Sequence, residues 1–170
     1  MEEYDEEKNM QQREIKLGIP SYITVESEEG SFIGEQNSLK FEKEDICVEA
    51  NENGEIWLTA DTAPVKTVKL RWNTPLERTS KILGGVWERT YGDAEWKGMS
   101  GTRFMPWYFL ALNEGVVTGY GVKVRPSAMC FWQADTRGIT LVLDVRCGGT
   151  GVVLSGRKLL AAEVVAMQAD

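Results

Sequence analysis

Residues 104–146, FMPWYFLALNEGVVTGYGVKVRPSAMCFWQADTRGITLVLDVR, decide the fold. Four runs rich in aromatic and β-branched residues stand here, at 104–113, 116–124, 128–135 and 139–146. Asn113-Glu114-Gly115, Arg125-Pro126-Ser127 and Thr136-Arg137-Gly138 separate them. Short runs of this composition, punctuated by turn residues, predict consecutive antiparallel strands. In the last run Ile139, Leu141, Leu143 and Val145 share one face, while Thr140, Asp144 and Arg146 occupy most of the other. That is the period of two of a half-buried strand. Gly119 and Gly121, inside the second run, predict a bulge or a close backbone approach. Trp107, Tyr108 and Trp132 are read as members of the β core.

The same pattern continues outward. Upstream, Tyr22, Thr24 and Glu26 alternate with Ile23 and Val25, and Val68, Leu70 and Trp72 alternate with Lys69 and Arg71. Asn53-Gly54, between Cys47-Val48 and Ile56-Trp57-Leu58, is a two-residue hairpin signal. Downstream, Gly148-Gly149-Thr150-Gly151 lacks the Lys-Ser/Thr of a phosphate-binding loop and reads as a turn. Residues 152–154 form a further short strand. Residues 158–167 place Leu160, Val164 and Met167 at helical spacing, yet Val164-Val165 suits a strand, and strand is preferred. No strand–helix–strand alternation appears, so a parallel sheet is not expected. The expectation is an all-β, antiparallel sandwich or barrel without substantial helix. It divides into a flexible acidic arm over residues 1–14 and a single domain over residues 15–170.

Composition narrows the function. The chain has 170 residues, a net charge of −7 and 26% charged residues. An acidic balance argues against a nucleic-acid partner, and no apolar run is long enough to span a membrane as a helix. The N-terminus, MEEYDEEKNM, lacks the features of a secretory signal. Cys47, Cys130 and Cys147 are odd in number and widely spaced, so they read as small, buried, reduced side chains rather than a disulfide or zinc framework. A cytoplasmic location is expected. Histidine is absent, which removes Ser-His-Asp and Cys-His chemistry and imidazole metal ligands. Acid–base work would fall to carboxylates, Lys or Tyr. No cofactor and no metal is expected.

Four of the six tryptophans, Trp87, Trp96, Trp107 and Trp132, lie between residues 87 and 132. The run WERTYGDAEW, residues 87–96, sets Glu88, Asp93 and Glu95 among its rings. Flat aromatic faces and carboxylates together suit a sugar, which stacks its apolar face and donates its hydroxyls. Tyr91-Gly92-Asp93 is equally plain turn chemistry, and both readings stand.

Six words occur in order from Leu70 to about Val165: LRW (70–72), WERTYGDAEW (87–96), MPWYFLA (105–111), GYGVKV (119–124), CFWQAD (130–135) and LDVRCGG (143–149). Together they resemble the N-terminal domain of the α-galactosidase-like glycoside hydrolases, the group that also contains raffinose synthases. The resemblance implies a large β-sandwich, of the supersandwich type, packed on a (β/α)8 barrel. The barrel of such an enzyme carries two aspartates for a retaining mechanism, in which the carboxyl groups stand roughly 5–5.5 Å apart. A barrel takes about 250 residues. The chain is therefore expected to be the N-terminal domain of a longer enzyme, a retaining α-galactosidase, and to be inactive alone.

No catalytic residue is carried over, and Asp93 and Asp135 do not replace the barrel aspartates. A loop reaching over the barrel mouth would let Trp87 or Trp96 stack on the sugar. Glu88, Arg89 or Asp93 would shape the subsite or the domain seam, and Arg103 would pair with a carboxylate across it. The implied partners are the catalytic barrel, α-galactosides through the parent enzyme, and possible further copies of the chain. A free-standing, lectin-like sugar-binding sandwich and an oligomerisation domain are the alternatives.

Overall fold

The computed structural model describes residues 11–86, 94–123 and 125–170. Fifteen strands and no helix form among them. The first eight are β1 (Gln12–Ile15), β2 (Tyr22–Ser27), β3 (Ser31–Ile33), β4 (Lys40–Lys43), β5 (Ile46–Ala50), β6 (Glu55–Ala60), β7 (Val65–Trp72) and β8 (Lys81–Gly84). There follow β9 (Lys97–Gly98), β10 (Met105–Pro106), β11 (Tyr108–Asn113), β12 (Val116–Val122), β13 (Met129–Asp135), β14 (Gly138–Asp144) and β15 (Leu159–Ala169). Every pairing is antiparallel, and the strands form two sheets. One has six strands in the order β10-β13-β14-β7-β2-β3. The other has nine, in the order β4-β5-β6-β15-β12-β11-β8-β9, with β1 also on β15. The protein is an all-β antiparallel sandwich.

Alternation sets what each sheet buries. In β14, Ile139, Leu141 and Leu143 have no exposed surface, and they face Trp72, Leu70 and Val68 across the ladder with β7. Paired residues share a face, so the predicted period of two places the core as expected. Phe109 and Tyr120 enter from the nine-stranded sheet and stack at 4.8 Å. Trp132 enters from the six-stranded sheet and meets Phe109 edge-on at 5.8 Å. Trp72 lies 6.2 Å from Trp132. These four rings join the sheets at the centre. Fully burying a side chain such as Phe109 stabilises by roughly 1.5–3 kcal/mol.

β15 is the strand around which the larger sheet is organised. Its first residues pair with β6, Leu159 with Leu58 and Leu160 with Trp57, and the register shifts between Leu160 and Ala162. Its later residues pair with β12 and with β1, Ala166 meeting both Tyr120 and Ile15. The strand reading of 158–167 thus holds. Gln12, Arg13 and Glu14, expected in the flexible arm, instead form β1 opposite Ala169, Gln168 and Met167. A strand held by its backbone along one edge needs no apolar alternation, so this polar stretch gave no signal. The Arg13 guanidinium also donates to the Gln168 carboxamide. Residues 1–10 of the expected arm lie outside the described residues.

The hairpin between β5 and β6 differs from the two-residue form. Gly54 N–H donates to Asn51 O at 3.1 Å and closes a four-residue turn. The Asn51 side-chain oxygen accepts from Asn53 N–H at 3.0 Å and Glu55 N–H at 3.1 Å. Gly54 has φ +83°, and a Cβ there would lie 2.3 Å from Val164 O. The turn chemistry and the contact with β15 both require glycine. Gly119 makes a close approach of another kind, since a Cβ would meet the Leu110 side chain at 3.0 Å. No bulge accompanies it, because β12 keeps an unbroken register with β11 and β15. Residues 152–154 contribute only an isolated bridge, Val152 with Val65. The Gly148–Gly151 segment does turn, through a bridge between Cys147 and Thr150.

Candidate functional site

Trp87, Glu88, Arg89 and Asp93 lie outside the described residues. Trp96 directly precedes the edge strand β9 and is 36% exposed. Its neighbours Glu95 and Lys97 form an exposed ion pair at 3.4 Å. Arg103 is half-buried, and its guanidinium Nη1 donates to Ile82 O at 3.3 Å. It holds the 99–104 segment to β8. Trp96 and Arg103 therefore converge on the same strand, because Lys97 pairs with Ile82.

The expectation that Trp107 and Tyr108 belong to the core is overturned. They are 36% and 45% exposed, whereas Trp132 is fully buried as expected. The expected single strand over 104–113 breaks at Trp107. β10 pairs with β13 in one sheet, and β11 pairs with β12 in the other. Trp107 is the one residue between them, and its φ is +68°. A change of sheet needs a bend, and the left-handed conformation takes the ring out of the inward alternation. With Phe109 pointing inward, Tyr108 must face outward. The signal available in sequence was Gly84-Gly85. A Cβ at Gly85 would lie 2.0 Å from Pro106 O, so only glycine lets β8 lie against this corner.

Tyr108 belongs to a larger apolar surface on the outer face of the nine-stranded sheet. Leu83, Leu110, Gly119 and Met167 form one cross-strand row. Tyr108, Gly121 and Val165 form the next, and Leu112, Val117 and Ala169 a third, with Lys81, Glu14 and Gln12 at the row ends. Met167 is 46% exposed, and the leucines and valines of these rows are half-buried. Gly119 leaves room for the Leu110 side chain, which a Cβ there would meet at 3.0 Å.

On the outer face of the six-stranded sheet, β2, β7 and β14 carry a polar network, while the exposed Met129 and the Phe104–Phe131 ring pair lie along β13. Lys69 binds Glu26 at 2.5 Å, and Thr67 Oγ1 donates to the same carboxylate at 3.0 Å. The Lys69 hydrogen bond, set against burial, holds the Glu26 pKa below the ordinary value. Arg71 Nη2 donates to Asp135 Oδ1 at 2.8 Å, which likewise holds Asp135 low. Arg146 pairs with Asp144, with the same effect on that carboxyl. Of the thiols, only Cys130 is buried, and burial pushes it up to about 12. Cys47 is half-buried and Cys147 exposed, against the expectation that all three are interior.

The fold is a β-sandwich whose nine-stranded sheet carries apolar rows over β8, β11, β12 and β15 and whose six-stranded sheet carries a polar network over β2, β7 and β14. Compared with known proteins, the chain matches no family model, no curated protein and no solved structure.

Proposed function

We propose that this chain is a non-catalytic β-sandwich domain of an α-galactosidase-like glycoside hydrolase, docked on a (β/α)8 catalytic barrel through the outer face of its nine-stranded sheet. The apolar surface built from the rows of Leu83, Tyr108 and Leu112 carries this reading. Exposed apolar side chains grouped on one face mark interaction sites, and Tyr108 and Met167 are the exposed members here. Two words of the family resemblance fall on this face. MPWYFLA supplies Tyr108 and Leu110, and GYGVKV supplies Gly119 and Gly121. Residues that a core does not need, in words that resemble those of a two-domain enzyme, fit a domain seam. Tyr108 and Trp96 would then border the barrel mouth, where added domains contribute walls.

Mixing the chain with an α-galactosidase barrel stripped of its own sandwich tests this. The two should co-elute, and aryl α-galactoside hydrolysis by the barrel should rise. Met167→Glu should prevent both. A chain that ignores the barrel yet binds galactosides by itself would favour the lectin-like alternative.

A further inference from the structure

The outer face of the six-stranded sheet carries, over β2, β7 and β14, a concavity of ≈ 890 Å³ that opens to solvent on the side of the sandwich away from the apolar rows. We propose that it is a binding site for a neutral saccharide. The inference stands apart from the docking reading, since the two faces are opposite and one remains open when the other is covered.

The floor is a cross-strand row, Tyr22, Arg71 and Thr140, with Thr24 and Lys69 in the next row. Asn73 and Asp135 stand at the end of the sheet. Arg71 is fixed from three sides. Nη2 donates to Asp135 Oδ1 at 2.8 Å, Nη1 to Thr140 Oγ1 at 3.1 Å, and Nε to Asn73 Oδ1 at 3.4 Å. Asp135 Oδ1 also accepts from Arg137 N–H at 2.8 Å and Gly138 N–H at 3.1 Å. The floor is thus rigid before any ligand arrives, which lowers the entropy lost on binding.

What this network leaves open is suited to hydroxyl groups. Asp135 Oδ2 takes no hydrogen bond among the described residues and is a charged acceptor. Thr140, already accepting from Arg71, keeps its own proton to donate. The Asn73 amide nitrogen and the Tyr22 hydroxyl add a donor and a two-way group. The Tyr22 ring lies beside them, and Ile33, 71% exposed, lines the rim. A pyranose needs that combination: an apolar surface for its C–H face and alternating donors and acceptors for its rim.

Charge argues against an anion. Lys69 is neutralised by Glu26 and Arg71 by Asp135. Arg137 remains the one lining cation without a carboxylate partner among the described residues. The volume falls in the range of ordinary ligand sites, about 300–1,000 Å³.

The test is a two-dimensional amide NMR titration of the whole chain with melibiose, maltose and inorganic phosphate. Saturable shifts with at least one disaccharide are expected at Tyr22–Thr24, Lys69–Asn73 and Asp135–Thr140. Tyr22→Ala should weaken binding about tenfold, the equivalent of one ring contact. Tyr22→Phe, which keeps the ring, should weaken it less and shows that any loss is not misfolding. Three results would overturn the proposal: no saturable shift with either sugar, shifts centred on Trp96 and Trp107 instead, or phosphate displacing the same residues in a manner abolished by Arg137→Ala.

Discussion

The indole Nε1 of Trp132, fully buried, donates to the main-chain oxygen of Trp107 at 3.3 Å. The same oxygen accepts from Val122 N–H at 3.1 Å, and Trp107 N–H donates to Cys130 O at 3.1 Å. Core and corner are therefore one unit. The central ring of the sandwich holds the residue at which the chain leaves one sheet for the other. A bulky residue at positive φ is an outlier that persists only where its surroundings determine it, and these three bonds do so.

Trp132→Ala should lose about 3–5 kcal/mol, as truncation of a buried tryptophan does. Trp96→Ala should cost much less, about 1 kcal/mol, because the ring is partly exposed beside the edge strand β9. Urea denaturation of both variants checks the contrast. Equal losses would mean that Trp96 is structural.

Thiol labelling should single out Cys147. It is exposed in a turn, while burial raises the pKa of Cys130 and, with Glu49 beside it, of Cys47. Reactivity follows the accessible thiolate. One equivalent of reagent should react quickly in the folded chain, and Cys147→Ser should remove that phase. Rapid labelling of all three would contradict the burial pattern.

Acid should weaken the fold through Asp135. Its carboxyl lies below the ordinary value of 3.8, chiefly through Arg71. A depressed folded-state pKa gives stability that is present above the unfolded value and lost as pH falls through the folded one. Stability should therefore hold down to about pH 4 and decline below it. Asp135→Asn should be less stable at neutral pH and show a shallower acid decline. An unchanged acid profile would show that the ion pair contributes nothing.

Alone, the chain should not hydrolyse an aryl α-galactoside. A retaining glycosidase keeps one carboxyl protonated near neutrality. Among the described residues each displaced carboxyl, from Glu26 to Asp144, is displaced downward. Turnover by purified chain, abolished by replacing one of its own carboxylates, would contradict this.

Strand identity was legible where one face is buried. Ile139 to Leu143, Val68 to Trp72 and Ile23 to Val25 show their alternation directly. The corner at Trp107 was not, because an aromatic run looks the same whether it continues in one sheet or crosses to another. β1 was silent because an edge strand paired through its backbone needs no apolar pattern. The Arg71–Asp135 pair was also out of reach, since it joins residues 64 apart through a register that sequence does not specify. Of the expected site, Trp96 and Arg103 fall near one strand, and the remainder lies in residues 87–93, outside those described.

If the chain docks as proposed, the outer face of the nine-stranded sheet over β8, β11, β12 and β15 is covered in the working protein. Sedimentation of the chain over a range of concentrations, with a hydrophobic dye in parallel, tests it most directly. The chain should self-associate or bind the dye, and Met167→Glu should sharply reduce either one with no loss of folding stability. A strictly monomeric chain that binds no dye at high concentration would contradict it.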